Sequence, residues 1–284
     1  MYDYFKKRTE EEISMFTDLA VERRRANKDI PGVKYEKKKS WSGGSWETVR
    51  ITSEEGEASI GRPRGIYATL NLDRIDDLDE DECENAQDEI ARKLCEICDS
   101  DRIIPARILV VGLGNRSLTP DSLGPKSCDE VVATMHILSY DEDAFYELEC
   151  SEIAVISPDV SAKSGIDAAI LVSGICDKIK PDLVIAIDAL ASRAPERLGR
   201  TVQISNTGIF PGSGVGNTRG EISKRAIGVP VVAIGVPTVM DSRHFSTDGV
   251  ITGEPMFVSP REIDGIVRSS AKIIGGAINQ AFGI

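Results

Sequence analysis

The sequence predicts an α/β fold, a mostly parallel sheet covered by helices on both faces with a small additional β unit near the N-terminus. Two observations carry that prediction. Short runs rich in Val and Ile, "RILVVGL", "EIAVISP", "DLVIAIDAL" and "VPVVAIGVP", are apolar almost without interruption, as strands buried on both faces are. Between them lie helix-like stretches, "CDEVVATMHIL", "IDAAILVSGICDKIK" and "EISKRAIG", and strands that alternate with helices build parallel crossovers.

Taken in order, the first forty residues mix acidic and basic blocks and lack apolar periodicity, which predicts an exposed arm. From about 45 to 72, the alternating pieces "SWETVRIT" and "GIYATLNL" flank the polar "SEEGEASIGRPR", which reads as a small β unit, a hairpin with a long loop. "DDLDEDECENAQDEIARKLCEICDS" sets Ile90, Leu94 and Ile97 behind an acidic first turn, the mark of a helix start. The four strand candidates follow. "PREIDGIVRSSAKIIGGAINQAF" then closes the chain as a helix with Pro260 at its first position. No internal repeat is visible.

Composition narrows the function. At 284 residues the chain can bury a core of enzyme size, and its 46 acidic against 34 basic side chains give a net charge of −12. That balance argues against direct nucleic-acid binding and against an anionic membrane. No stretch approaches the roughly 20 apolar residues that span a bilayer. The opening "MYDYFKKRTEEEISMF" lacks the apolar core of a secretory signal, so a cytoplasmic protein is expected. Six cysteines (Cys83, Cys95, Cys98, Cys128, Cys150 and Cys176), mostly within apolar-periodic segments, read as reduced core thiols without disulfides. Cys95 and Cys98 have no second pair or flanking histidine to complete a zinc site, and burial on a helix is the simpler reading.

Ligands and chemistry collect at the carboxyl ends of strands in an open parallel sheet. Three candidates end in polar signatures: "VVGLGN" runs into Thr119-Pro120-Asp121, "LVIAIDAL" carries Asp188, and "VVAIGVPTVMD" reaches Thr238 and Asp241. A dinucleotide fingerprint fails at Ser117, and a phosphate loop fails where Gly216 is followed by Asn217 and Thr218. The glycines are then left with backbone geometry, close approach or positive φ. What remains is a pair of carboxylates, Asp121 and Asp188, that can divide acid and base work if they face one crevice. Each also has an ordinary reading, Asp188 as a helix cap and Asp121 as a turn residue. The two histidines, His136 in a predicted helix and His244 in "DSRHFS", offer weaker nucleophile schemes, and no spacing supports a metal held by carboxylates and a histidine.

The blocks "FTDLAVE", "GIYATLNL", "LVVGLGNRSLTPDSLGPK", "IAIDALASR", "PGSGVGNTRGEIS" and "GVPVVAIGVPTVMDS", in order from residue 16 to 242, resemble the germination proteases of spore-forming bacteria. The resemblance implies an endopeptidase of the spore core that initiates degradation of small acid-soluble spore proteins. It implies those proteins rather than DNA as the partner, and a homotetramer; no cofactor and no bound metal are expected, and the charge already argues against a membrane. Asp121 and Asp188 match the family's catalytic pair. Main-chain amides of Gly112, Gly114 and Asn115, and of Gly212, Gly214, Gly216 and Asn217, are the candidate oxyanion donors beside that pair. The family is made as a zymogen, which implies a propeptide at 1–18, cut between Asp18 and Leu19, and a single α/β peptidase domain at 19–284. Met15 departs from the family preference for a further acid three residues before the cutting residue. A similar loop followed by an acid occurs in hydrogenase-maturation peptidases, but no histidine follows Asp188 here as their metal-sensing chemistry would ask. The competing readings are a metal-dependent peptidase of that kind and a non-catalytic acidic module that binds basic spore proteins.

Overall fold

The computed structural model describes residues 17–24, 29–210, 220–242 and 256–283. A single helical turn, α1 (Ala20–Arg23), precedes β1 (Val33–Lys39) and β2 (Ser45–Ile51). Next come α2 (Glu54–Ile60), β3 (Gly65–Asn71), α3 (Glu80–Ser100) and β4 (Arg107–Gly112). They are followed by α4 (Leu123–Glu130), α5 (Met135–Tyr140), α6 (Glu142–Glu147), β5 (Glu152–Ile156), α7 (Ser161–Ser164) and α8 (Ala168–Ile179). The order closes with β6 (Leu183–Ser192), β7 (Thr201–Ser205), α9 (Lys224–Ile227), β8 (Val231–Asp241), β9 (Phe257–Val258) and α10 (Ile263–Ala281).

The nine strands among the described residues belong to one mixed sheet, ordered β1-β2-β3-β7-β8-β6-β4-β5, with β9 on β8. The four strands expected from the Val/Ile-rich runs, β4, β5, β6 and β8, pair in parallel. The early β unit is not separate from them, because β3 pairs antiparallel with β7 and β7 with β8, so it extends the same sheet. Alternation along the parallel strands sends side chains to two cores. Ile108, Val110, Ile185 and Ile187 pack on one face with Ile90 and Leu94 of α3 and Ile274 and Ile278 of α10. Leu109, Val111, Val184 and Ala186 pack on the other face with Val172 and Cys176 of α8. Each large side chain buried this way contributes about 1.5–3 kcal/mol relative to exposure.

Local chemistry explains the element ends. The α3 start carries a capping box in which Asp79 accepts from the Glu82 amide (2.8 Å) and Glu82 from the Asp79 amide (3.0 Å). The expected long loop after β2 is instead α2: Ser53 caps it by accepting from Gly56 N at 3.1 Å, and Gly61 ends it at φ 67. "CDEVVATMHIL" is not one helix. The chain breaks between α4 and α5, where Thr134 Oγ1 donates to Ser151 O (2.7 Å) and accepts from Ile153 N (2.8 Å), tying the break to β5. Pro260 stands ahead of the α10 cap residue Glu262 rather than inside the first turn.

The exposed-arm expectation fails at Thr17–Ala20, and the exposed residues after it form part of the sheet rather than an arm. Thr17, Leu19 and Ala20 are fully buried, and Val33–Lys39 is the lysine-rich edge strand of the sheet. Lysines suit an edge because they discourage further strand pairing. All six cysteines are free thiols; Cys98 and Cys128 are buried, and burial pushes both up to about 12, whereas Cys95 is exposed rather than packed.

Glu89 of α3 is buried and holds the β1–β2 turn. Its carboxylate accepts from Ser42 N (2.8 Å), from Trp46 Nε1 and from Ser40 Oγ. Removing it leaves several buried donors without an acceptor. Glu89→Ala should therefore lower the free energy of unfolding in urea by about 2–4 kcal/mol, while truncation of the exposed Glu96 should change it by less than about 0.5 kcal/mol.

Candidate active site

The site begins with a stagger between neighbouring strands. β4 stops at Gly112, paired with Ile187, and Leu113 N makes a last bond to Ile187 O at 2.8 Å. β6 continues beside β8 from Asp188 to Ser192. The rim of the sheet is therefore stepped at the carboxyl ends of the strands, the edge where ligands collect in open parallel sheets. Asp188 is the first residue past the end of β4, 7% exposed, with Oδ1 accepting from Ala189 N at 2.9 Å. It lies inside a strand, so the helix-cap alternative falls.

Asp121 closes the 3-10 turn Thr119–Asp121 that follows β4. This turn lies against both β6 and β8. Thr238 Oγ1 donates to Pro120 O at 2.7 Å, from the stretch of β8 where its register with β6 shifts between Leu190 and Ala191. The Asp121 carboxylate accepts from Asn115 N at 2.9 Å, so that amide holds the acid instead of facing a substrate. Gly114 has φ 110, and a Cβ there would stand 2.1 Å from Asp121 O. Gly112 answers a different need: a Cβ on it would meet Gly124 O at 2.3 Å, where α4 crosses the end of β4. Gly212, Gly214, Gly216 and Asn217 lie outside the described residues, as does His244. His136 is on α5, exposed, edge-on to Tyr140.

A cation flanks the same loop. Lys163 Nζ donates to Asn115 Oδ1 (2.7 Å), Ser117 Oγ (3.0 Å) and Asp159 Oδ2 (3.3 Å). The Val160 N–H, and then Lys163, hold the Asp159 carboxyl below the ordinary carboxylate range. Among the described residues no group of three or more His, Cys, Asp or Glu is placed to hold a metal ion.

The third component is the segment Thr17–Glu22, which docks where β4 has stopped. Asp18 takes up both main-chain groups of Ala191: its N–H donates to Ala191 O (2.8 Å), and its Oδ2 accepts from Ala191 N (2.9 Å). Arg62 Nη2 donates to Asp18 Oδ1 (3.1 Å) and to Thr17 O (3.0 Å). Gln203 Nε2 donates to Asp18 O (3.1 Å), and Gln203 Oε1 accepts from Ala20 N (2.9 Å). Leu19 is buried in the cluster that contains Leu190 and Val111. Glu22 accepts from Arg193 N (2.7 Å) and Ala194 N (3.0 Å). Arg23 donates to Thr17 O, and burial together with the Arg62 guanidinium lowers its pKa to about 10, which leaves it charged at neutral pH.

Register links this segment to the acids. Gln203 of β7 pairs with Gly235 of β8, and Gly235 pairs with Asp188 of β6. Laterally paired residues share a face of the sheet, so Asp188 and Gln203 rise on one side, separated by a residue without a side chain. A small cavity of about 30 Å³, room for about one water, is lined by Asp18, Arg62, Tyr67, Leu190, Gln203 and Gly235. Arg62 and Gln203 escaped the sequence reading. The first sits in the polar "GRPR", and the second is the lone amide of "TVQIS", a strand too short to show its period.

Comparison with known proteins places these residues in context. A family model described as "Germination protease" matches residues 11–252. A germination protease of Caldanaerobacter subterraneus is 42% identical over 82% of this chain and 72% of its own length. One from Clostridium perfringens is 35% identical over 93% of this chain and 94% of its own, and one from Priestia megaterium is 40% identical over 84% and 66%. Among solved structures, a hydrogenase maturation protease from Thermococcus kodakarensis overlaps with a TM-score of 0.35 and 19% identity, covering 62% of this chain and 92% of that one.

The Gly114 contact with the Asp121 turn gives a direct expectation. Gly114→Ala should cost about 2–4 kcal/mol in urea unfolding, from a positive φ and a clash with backbone that cannot move aside.

Proposed function

Because the chain belongs to the germination protease family, we propose that it is an endopeptidase made as a self-processing zymogen, acting through Asp121 and Asp188 on small acid-soluble spore proteins. Residues 1–18 are the propeptide in this reading, and 19–284 form a single peptidase domain. The enzyme works in the spore core as a homotetramer, with no nucleic acid or membrane as partner. A basic substrate suits a chain of net charge −12.

One aspartate, ionised, takes a proton from water as the water oxygen attacks the scissile carbonyl carbon. The other, neutral, gives a proton to the departing amide nitrogen. Two acids that share a proton titrate as a unit, so the roles belong to the pair. A donor near the carbonyl oxygen lowers the cost of the charge that gathers there. The observation that carries the reading is the placement of both acids at one stepped rim: Asp188 is the first residue of β6 beyond β4, and Asp121 closes a turn that β8 pins against β6.

Incubation of the full chain near pH 6 should yield a new amino terminus at Leu19 by mass spectrometry. Asp121→Asn and Asp188→Asn should each slow self-processing and substrate cleavage by about 10³-fold or more, with the urea midpoint retained. Cleavage within about tenfold of wild type in either variant would refute the pair. A chelator should leave the wild-type rate unchanged.

A further inference from the structure

We infer that Arg62, the Ala191 N–H and the Gln203 side chain form the subsite that selects an acidic residue before the cut, and that Thr17–Glu22 fills it as the chain's own substrate. The inference rests on the peptidase reading above.

The Asp18 carboxylate accepts from Arg62 Nη2 on Oδ1 at 3.1 Å and from Ala191 N on Oδ2 at 2.9 Å. Both side chains of the Arg62–Asp18 pair are largely shielded, 12% and 14% exposed, so salt screens them weakly. An asparagine at this position turns its own donor toward one of those two donors. The subsite therefore rejects the amide through repulsion as well as through lost attraction. Arg62 Nε is also buried without an acceptor among the described residues, a donor in reserve for an incoming chain.

Gln203 reads the main chain across the same bond. Its amide donates to the carbonyl before the cut and accepts from the N–H of Ala20, two residues beyond Asp18. Neither contact depends on side-chain identity. The Nε2 donor also stands at the carbonyl oxygen that gains negative charge during attack by water.

Hydrolysis clears the subsite. Water adds its oxygen to the Asp18 carbonyl carbon, the bond from that carbon to the Leu19 nitrogen breaks, and both water protons end on the nitrogen, so the neutral peptide becomes a carboxylate and an ammonium. Leu19 is fully buried, and the guanidiniums of Arg23 and Arg62 both bond the Thr17 carbonyl close by. A new ammonium at that buried position, close to two guanidiniums, is costly to hold, which drives the new amino terminus out. The vacated donors then accept an acid from a separate chain.

The test is a double-mutant cycle on self-processing in the full chain, with the new amino terminus mapped by mass spectrometry. Asp18→Asn should slow processing roughly 30-fold or more in the wild-type background, but only about threefold when Arg62→Gln is also present. Arg62→Lys should restore part of the discrimination, and Gln203→Ala should slow both backgrounds alike. Urea midpoints report whether each variant folds. An unchanged Asp-to-Asn ratio in Arg62→Gln, or processing at a bond other than Asp18–Leu19, would overturn the inference. Asp188→Asn separates it from the reading it rests on: processing that survives there sinks the aspartate mechanism, while the ratio still decides the subsite.

Discussion

The step between β4 and β6 is the constraint from which the rest of the site follows. A strand that outruns its neighbour leaves main-chain donors and acceptors at the rim, and buried groups of that kind must find partners. At Ala191 the partner is Asp18, with one hydrogen bond through its own amide and one through its carboxylate. The same step leaves Asp188 as the first residue of β6 beyond β4, buried, with its main chain paired on the β8 side alone. The docked segment and the candidate catalytic acid are two consequences of one difference in strand length.

Rigid elements fix the components around that step. Asp121 reaches the rim only because Gly114 lets the backbone approach it and Gly124 lets α4 pack against the end of β4; a Cβ on Gly124 would stand 2.3 Å from Leu113 O. Thr238 then pins the preceding proline carbonyl to β8. Glycine here supplies proximity, and the polar atoms supply direction. A site held in this way needs little rearrangement before chemistry, which is the condition for electrostatic stabilisation to be effective.

Much of this was legible in the sequence, for physical reasons. Strands buried on both faces show as unbroken Val/Ile runs, so β4, β5, β6 and β8 and the acids near their ends could be found without coordinates. β7 could not, because its five residues read "TVQIS" and their burial comes from neighbours far away in the chain. α2 hid inside a polar segment whose helical character rests on Ser53 and Gly61 at its ends rather than on an apolar stripe. The largest departure is Thr17–Arg23, read as an exposed arm but held by Arg62, Ala191 and Gln203. Three partners contributed by β6, β7 and the turn after α2 leave no local signature. Asp188 looked like the end of a strand because the apolar run pauses there, whereas the strand itself continues to Ser192.

The most direct measurement is native-state amide exchange at Asp18, Leu19 and Ala20 in the full chain carrying Asp188→Asn, so that the bond stays whole. If the segment is seated on the sheet rim, these amides are protected to a degree comparable with those of β6. Exchange at the rate of an unstructured chain end would mean that the segment does not dock, and the link between the stepped sheet and substrate recognition would be lost.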